Sequence, residues 1–262
     1  MHRIVWSVLV LILLVFVRKK FSQVRTAMGD PKVLKILLCS GLLLACNWLL
    51  FIWAVNNNQL LEASLGYFIN PLFNVLLARI FLQERLSRLQ LVAVLVALSS
   101  VVIVILSYGH VPWIALILAI TFSIYGLLRK KVAVDSMPGL LIESTMMLPF
   151  ALLYWLVVDT SSGNMLANPA DLNMILVLAG VVTTAPLLCF TAAARRIRYT
   201  TLGFFQYIGP SIMFLLAVLY YQEALEPQRA MTFVFVWLAL LIYVYDSLRV
   251  YHKSKAKVVK PS

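Results

Sequence analysis

Nine apolar runs separated by short loops constrain this chain more than any other feature, at approximately 3–17, 33–55, 61–82, 89–107, 112–128, 138–158, 172–194, 200–221 and 229–248. In hydrocarbon each backbone N–H and C=O must be satisfied inside its own segment, so a run of about 20 apolar residues reads as a spanning helix. Spanning β-strands would be about 10 residues long with alternating polarity, and these runs do not alternate. The first run is short for a crossing but is read as a retained anchor, because no small-residue cleavage site follows it. The expectation is an all-α polytopic membrane protein with nine transmembrane helices. Composition points the same way, since 12% charged residues is about half the share of a soluble domain.

The loops carry their charge on alternate sides. RKKFSQVR, QERLSR, RKK, ARRIR and a basic tail follow every second run, whereas VNNNQ, SYGHVP and DTSSGNMLANPAD hold no Lys or Arg. All but Arg3 and Arg229 of the 22 basic residues fall on one side, which the positive-inside rule makes the cytoplasm. The carboxyl terminus is therefore expected inside. A net charge of +12 would suggest nucleic acid in a soluble protein, but here it serves orientation, and no nucleic-acid partner is expected. Cys39, Cys46 and Cys189 lie within apolar runs, with neither a disulfide framework nor a metal spacing.

An internal repeat gives the runs an order. Segment 41–86 laid over 180–225 without a gap gives 12 identities in 46 positions, including Pro71 with Pro210 and Gln83-Glu84 with Gln222-Glu223. The mismatches reverse the charge: Asn56-Asn57-Asn58-Gln59 aligns with Arg195-Arg196-Ile197-Arg198. One helix pair thus occurs twice with its positive ends exchanged, as an inverted-topology repeat requires. The same offset carries the sixth run back onto the first and the fifth to a position ahead of Met1. The expected architecture is therefore a ten-helix, five-plus-five inverted repeat without its first helix.

With that repeat established, HRIVWS (2–7), NW (47–48), SLGYFINP (64–71), QER (83–85), PW (112–113), YGLLRK (125–130), AARR (193–196) and GFFQYIGP (203–210) resemble the RarD proteins, in the EamA branch of the drug/metabolite transporter superfamily. The resemblance covers essentially the whole chain. It implies a bacterial inner-membrane carrier that exports or exchanges small molecules, and a chloramphenicol-sensitivity label that says little about the natural substrate. It divides the chain into a first EamA-type repeat at 1–107, a second, inverted, at 108–248, and a basic cytoplasmic tail at 249–262. The partners it implies are a small-molecule substrate and the lipid bilayer, with a homodimer as one assembly.

Candidate site residues come from polar groups inside the runs. A proline removes an N–H and clashes with the carbonyl four residues back, so Pro71 and Pro210 are expected to break the third and eighth spans. They would free the carbonyls of Tyr67 and Gln206. Tyr67, Asn70 and Asn74 stand at i, i+3 and i+7 and share a face; Gln206 and Tyr207 precede the second proline. The pseudo-twofold relation would gather these faces near the midplane, where carriers bind substrate. The alternative is a structural kink whose amides bond neighbouring helices. Asn47 and Trp48 on the second run join the candidates with Thr183, Thr184 and Pro186 on the seventh, in matching parts of the repeat, and Tyr125 joins from YGLLRK. Glu143, an acid inside a span, is a candidate for ion coupling; its other role is an ion pair with Arg129 or Lys130. The Gln-Glu pairs at helix ends suit capping, loop packing or a gating contact.

The chain has no HExxH, GxSxG or P-loop, and His2, His110 and His252 are scattered, so neither catalysis, a cofactor nor a metal is expected. A secondary transporter working by alternating access is the expected function. The competing readings are a transport-inactive truncated carrier, a non-catalytic membrane partner and, less well supported, an intramembrane enzyme.

Overall fold

The structure, a computed structural model, describes residues 2–108, 111–158, 164–220 and 227–258. Those residues form eleven helices, α1 (His2–Val17), α2 (Phe21–Met28), α3 (Pro31–Asn56), α4 (Leu60–Phe81), α5 (Arg88–Tyr108), α6 (Trp113–Lys131), α7 (Ser136–Val157), α8 (Ala170–Arg196), α9 (Tyr199–Phe205), α10 (Ile208–Leu219) and α11 (Pro227–Val258). Six of them, α3, α4, α6, α7, α8 and α11, are each long and apolar enough to cross a membrane, and α1 and α5 carry shorter apolar stretches. Their outward faces are apolar too: Leu13, Leu49, Phe150, Val182 and Leu241 are each more than 60% exposed. A soluble protein does not leave such faces to water.

Local signals account for the helix ends. Asp30 starts α3 as an N-cap, its Oδ1 accepting from the N–H groups of Lys32 at 2.8 Å and Val33 at 3.4 Å, with Pro31 in the first helical position. Beyond α1, α3 and α4 the chain turns through left-handed residues, Lys19, Asn58 and Gln83. Behind two of these turns the helix closes with a bond back across the last turn, Lys20 N–H to Val15 O at 2.9 Å and Gln59 N–H to Ala54 O at 2.8 Å.

One expectation about helix breaks needs correction. Pro71 does not break the third span, because α4 runs without interruption from Leu60 to Phe81. One proline removes one rung of the ladder, and packed neighbours keep the helix continuous through it. In the eighth span the helix lapses at Gln206 and Tyr207, four and three residues ahead of Pro210, where a proline acts on the carbonyl four residues back; both residues keep right-handed helical dihedrals. Pro210 is the third residue of α10, in the first turn, where an N–H has no intrahelical partner to lose.

The chain divides into two compact units: Met1–Trp48 with Ile124–Ile197, and Leu49–Ser123 with Arg198–Ser262. Each draws on both halves of the sequence. In the first unit α1 packs on α7 and α8 through Val8, Leu11, Val15, Leu140 and Leu141, while α2 and the start of α3 close over Val132, Val134 and Ile142. The second unit is built on α5 and α11. Ala93 and Ala97 meet Val236 and Ala239, small side chains that let two membrane helices approach closely. Phe204 stacks on Tyr243 at 3.9 Å between ring centres, which anchors α9 to that core.

Candidate functional site

In the second unit, α4 and the α9–α10 break assemble a cluster of neutral amides. Asn70 Nδ2 donates to Gln206 Oε1 at 3.1 Å, and Asn74 Nδ2 donates to the same oxygen. Asn70 Oδ1 in turn accepts from Ser123 Oγ at 2.6 Å, and the Ser123 carbonyl accepts from Tyr199 OH, also at 2.6 Å. Tyr207 OH donates to the Phe68 carbonyl at 3.1 Å, fastening the far side of the break to α4. Gly203 makes the approach possible, since a Cβ there would sit 3.0 Å from the Pro71 carbonyl and 3.2 Å from Asn74 Cβ. Asn74 is fully buried, yet its Oδ1 has no hydrogen-bond partner among the described residues. Gln206 is clamped by its oxygen, while its Nε2 has no acceptor among them. The cluster thus retains one donor and one acceptor for an uncharged hydrogen-bonding group.

The charged ends of these helices serve the same geometry. Glu84 accepts from the N–H groups of Tyr199 at 2.7 Å and Thr200 at 3.1 Å, capping α9 from the loop after α4. Arg198 stands 3.6 Å from the same carboxylate. Glu62 does the equivalent for α6, accepting from Ile114 N–H at 2.8 Å. Gln222-Glu223 lie outside the described residues.

The first unit holds a different kind of cluster. Glu143 on α7 is 2% exposed, and its Oε1 accepts from Ser40 Oγ on α3 and lies 3.5 Å from Arg129 Nη1 on α6. Lys130, the other cation next to it in sequence, donates instead to the carbonyls of Ala194 at 2.9 Å and Ile197 at 2.6 Å, at the end of α8. Glu143 also borders a narrow cleft with Ser7, Trp48, Ser144, Thr183 and Thr184. Arg3 lies 5.6 Å above the Trp48 ring, within cation–π range.

The expected residues therefore fall into two groups. Asn70, Asn74, Gln206 and Tyr207 meet in the second unit around the helix break. Tyr67 does not join them: it is half exposed and edge-on to Phe51 at 6.2 Å. Asn47, Trp48, Tyr125 and Glu143 belong to the first unit. There Tyr125 is fully buried and stacked on Phe190 at 6.2 Å, and Asn47 is buried. Ser123 and Ser40 are the partners that the sequence did not mark, because a lone serine in an apolar run gives no signal. Of the two cations named as partners for Glu143, Arg129 is the one beside it.

Comparison with known proteins places this arrangement. Residues 1–106 match the EamA-like transporter family. The RarD protein of Escherichia coli (strain K12) is 49% identical over 94% of this chain and 84% of its own length. An uncharacterized transporter of Vibrio cholerae is 50% identical over 97% of this chain and 84% of its own. A crystal structure sharing 18% identity superposes with a TM-score of 0.68, covering 92% of this chain and 85% of that one, a likeness of fold. The chain is thus a multi-pass membrane transporter of the drug/metabolite type. Within that class it belongs to the RarD family.

Proposed function

We propose that this chain is a secondary active carrier that moves small metabolites or drug-like molecules across the bacterial inner membrane by alternating access. In this reading nine spans form two oppositely oriented repeats, 1–107 and 108–248, and the basic tail from 249 faces the cytoplasm. The transported solute meets Asn70, Asn74 and Gln206, whose polar faces open to one side of the membrane at a time.

One observation carries the proposal. Two asparagines on a continuous helix converge on a glutamine at the break between α9 and α10. Broken helices near the middle of a span are where carriers place substrate, because the interrupted ladder leaves polar backbone that only protein, water or a guest can satisfy. Neutral amides also suit exchange with a guest, since each bond surrendered is worth only about 1 kcal/mol. An entirely structural kink would satisfy every amide atom internally, and Asn74 Oδ1 is not satisfied.

The test is transport by purified protein in proteoliposomes, screened against metabolites and drugs with chloramphenicol as a first probe. Asn70→Ala and Gln206→Ala are expected to lower uptake or efflux of any carried compound at least tenfold with abundance unchanged. Normal transport by both variants would place the solute path elsewhere.

A further inference from the structure

The ion pair in the first unit has features that a purely structural pair does not need. The Arg129 side chain is wholly buried. Its Nη2 donates to the Ser136 carbonyl at 3.0 Å, but among the described residues Nε and Nη1 find no hydrogen-bond partner, and neither does Glu143 Oε2. A pair built for stability would satisfy those atoms, because desolvating two charges is repaid only by full hydrogen bonding. Yet the slot for the guanidinium is specific. Gly139, one turn before Glu143, is the residue against which it lies, and a Cβ there would meet Nη1 and come within 2.8 Å of Nη2.

Glu143 borders the cleft. Thr184, 2% exposed and also without a hydrogen-bond partner for its Oγ1, borders it from α8. Only about 20 Å³ of that cleft admits the centre of a water-sized sphere, room for a single water. Such a space accommodates a proton relay and excludes a solute. Among the described residues, the other titratable groups on α1 are turned to aromatic rings: Arg3 lies over Trp48 at 5.6 Å and His2 is edge-on to Trp155 at 4.6 Å. Ile4, Ser7 and Leu11 line the cleft from α1, Gly41, Leu44 and Ala45 from α3, and Thr183 from α8. Lys130 is engaged at the end of α8, while Lys20 and Arg195 are held by Asp135.

We propose that Glu143 is a proton-binding site, set by Arg129 and Ser40 in its ionised form and by Thr184 in its protonated form. In the ionised form Oε1 holds Ser40 Oγ and the guanidinium. A hydronium ion reaching the cleft gives up one proton: its O–H bond breaks, an O–H bond forms at Oε2, water is left behind, and the charge that held Arg129 is removed. The new hydroxyl donates to Thr184 Oγ1, directly or through one water. Arg129 keeps its proton throughout, so protonation converts a neutral pair into a lone buried cation and biases α6 against α7. That bias is how a proton would drive the carrier; the use in transport rests on the proposed function, the proton site does not.

Infrared difference spectroscopy of the full chain in nanodiscs, stepped from about pH 8 to about pH 4, tests the site without any solute. Over the bands of the other nine side-chain carboxyl groups, one further reversible carboxylic-acid C=O band is expected in the wild type and in Glu143→Asp, and is missing from Glu143→Gln. Thr184→Val should keep the band and shift its frequency, because the acid loses its acceptor. An unchanged band in Glu143→Gln overturns the assignment, as does a wild type without that further band. Retention of radioactive sodium ions that is lost in Glu143→Gln would assign the cleft to a metal cation and overturn it as well. Since no solute is carried in this measurement, its failure leaves the transport reading standing.

Discussion

The two compact units hold their intramembrane polarity in opposite ways. In the second, Asn70, Asn74 and Gln206 are neutral and gather at a broken helix. In the first, Glu143 and Arg129 are charged and sit on helices that run without a break, α7 and α6. Neutral amides can be parted cheaply, so that cluster can trade an internal bond for one to a guest. A buried ion pair resists parting until one member loses its charge. The first arrangement suits recognition and the second suits a switch.

Substitutions should expose that difference. Arg129→Ala leaves a buried carboxylate without its cation and should cost about 3–5 kcal/mol, read as lost monodisperse yield and a lowered melting temperature in detergent. Replacing Arg129 and Glu143 together by Met should recover most of the loss, because no charge is then stranded. If Arg129→Ala is as stable as the wild type, the contrast between the units fails. Gly139→Ala pushes a methyl group into the guanidinium slot and should cost about 1–3 kcal/mol, whereas Gly209→Ala, with open space around its Cβ position, should be much milder.

Effects in the second unit should be smaller. Glu84→Ala removes the cap on α9 and should cost about 0.5–2 kcal/mol, with faster amide hydrogen exchange at Tyr199 and Thr200 as the local readout. Asn70→Ala or Gln206→Ala should cost about 1 kcal/mol or less while depressing transport. The smallest effect belongs to Asp135 at the start of α7. The hydrogen bond from Lys20, at 2.7 Å, holds its carboxyl below the usual value, and Arg195 at 2.9 Å adds to this. A depressed carboxylate contributes stability above its unfolded pKa of about 4 and loses it as pH falls through the folded value. Asp135 is 43% exposed, so screening keeps the contribution below about 1 kcal/mol. Asp135→Asn should therefore lower the melting temperature slightly at neutral pH and match the wild type at low pH.

Much of this was legible in the sequence, for identifiable reasons. Apolar length located the helices, because in hydrocarbon a run of about 20 residues that does not alternate can close its backbone hydrogen bonds only as a helix. The constant offset between Pro71 and Pro210 drew attention to the segments that meet around Gln206. Pro71 misled, since packed neighbours carry a helix through one interior proline, whereas the lapse in the eighth span falls at Gln206, four residues before Pro210. Tyr67 was placed with Asn70 and Asn74 by helical spacing. Spacing fixes a face, however, and not which element covers each turn of it; around Tyr67 that element presents Phe51. Ser123 and Ser40 were invisible because a single hydroxyl has no pattern, and the slot at Gly139 exists only once α6 and α7 are packed.

The central claim is that Gln206 lies on the solute path. It is tested most directly by placing Cys at position 206 in a chain whose Cys39, Cys46 and Cys189 are replaced by Ser. A membrane-impermeant thiol reagent is then applied to oriented vesicles from each side in turn. The account predicts labelling from both sides, slowed by any compound the wild type carries. Labelling from neither side, or labelling that a carried compound leaves unchanged, would contradict it.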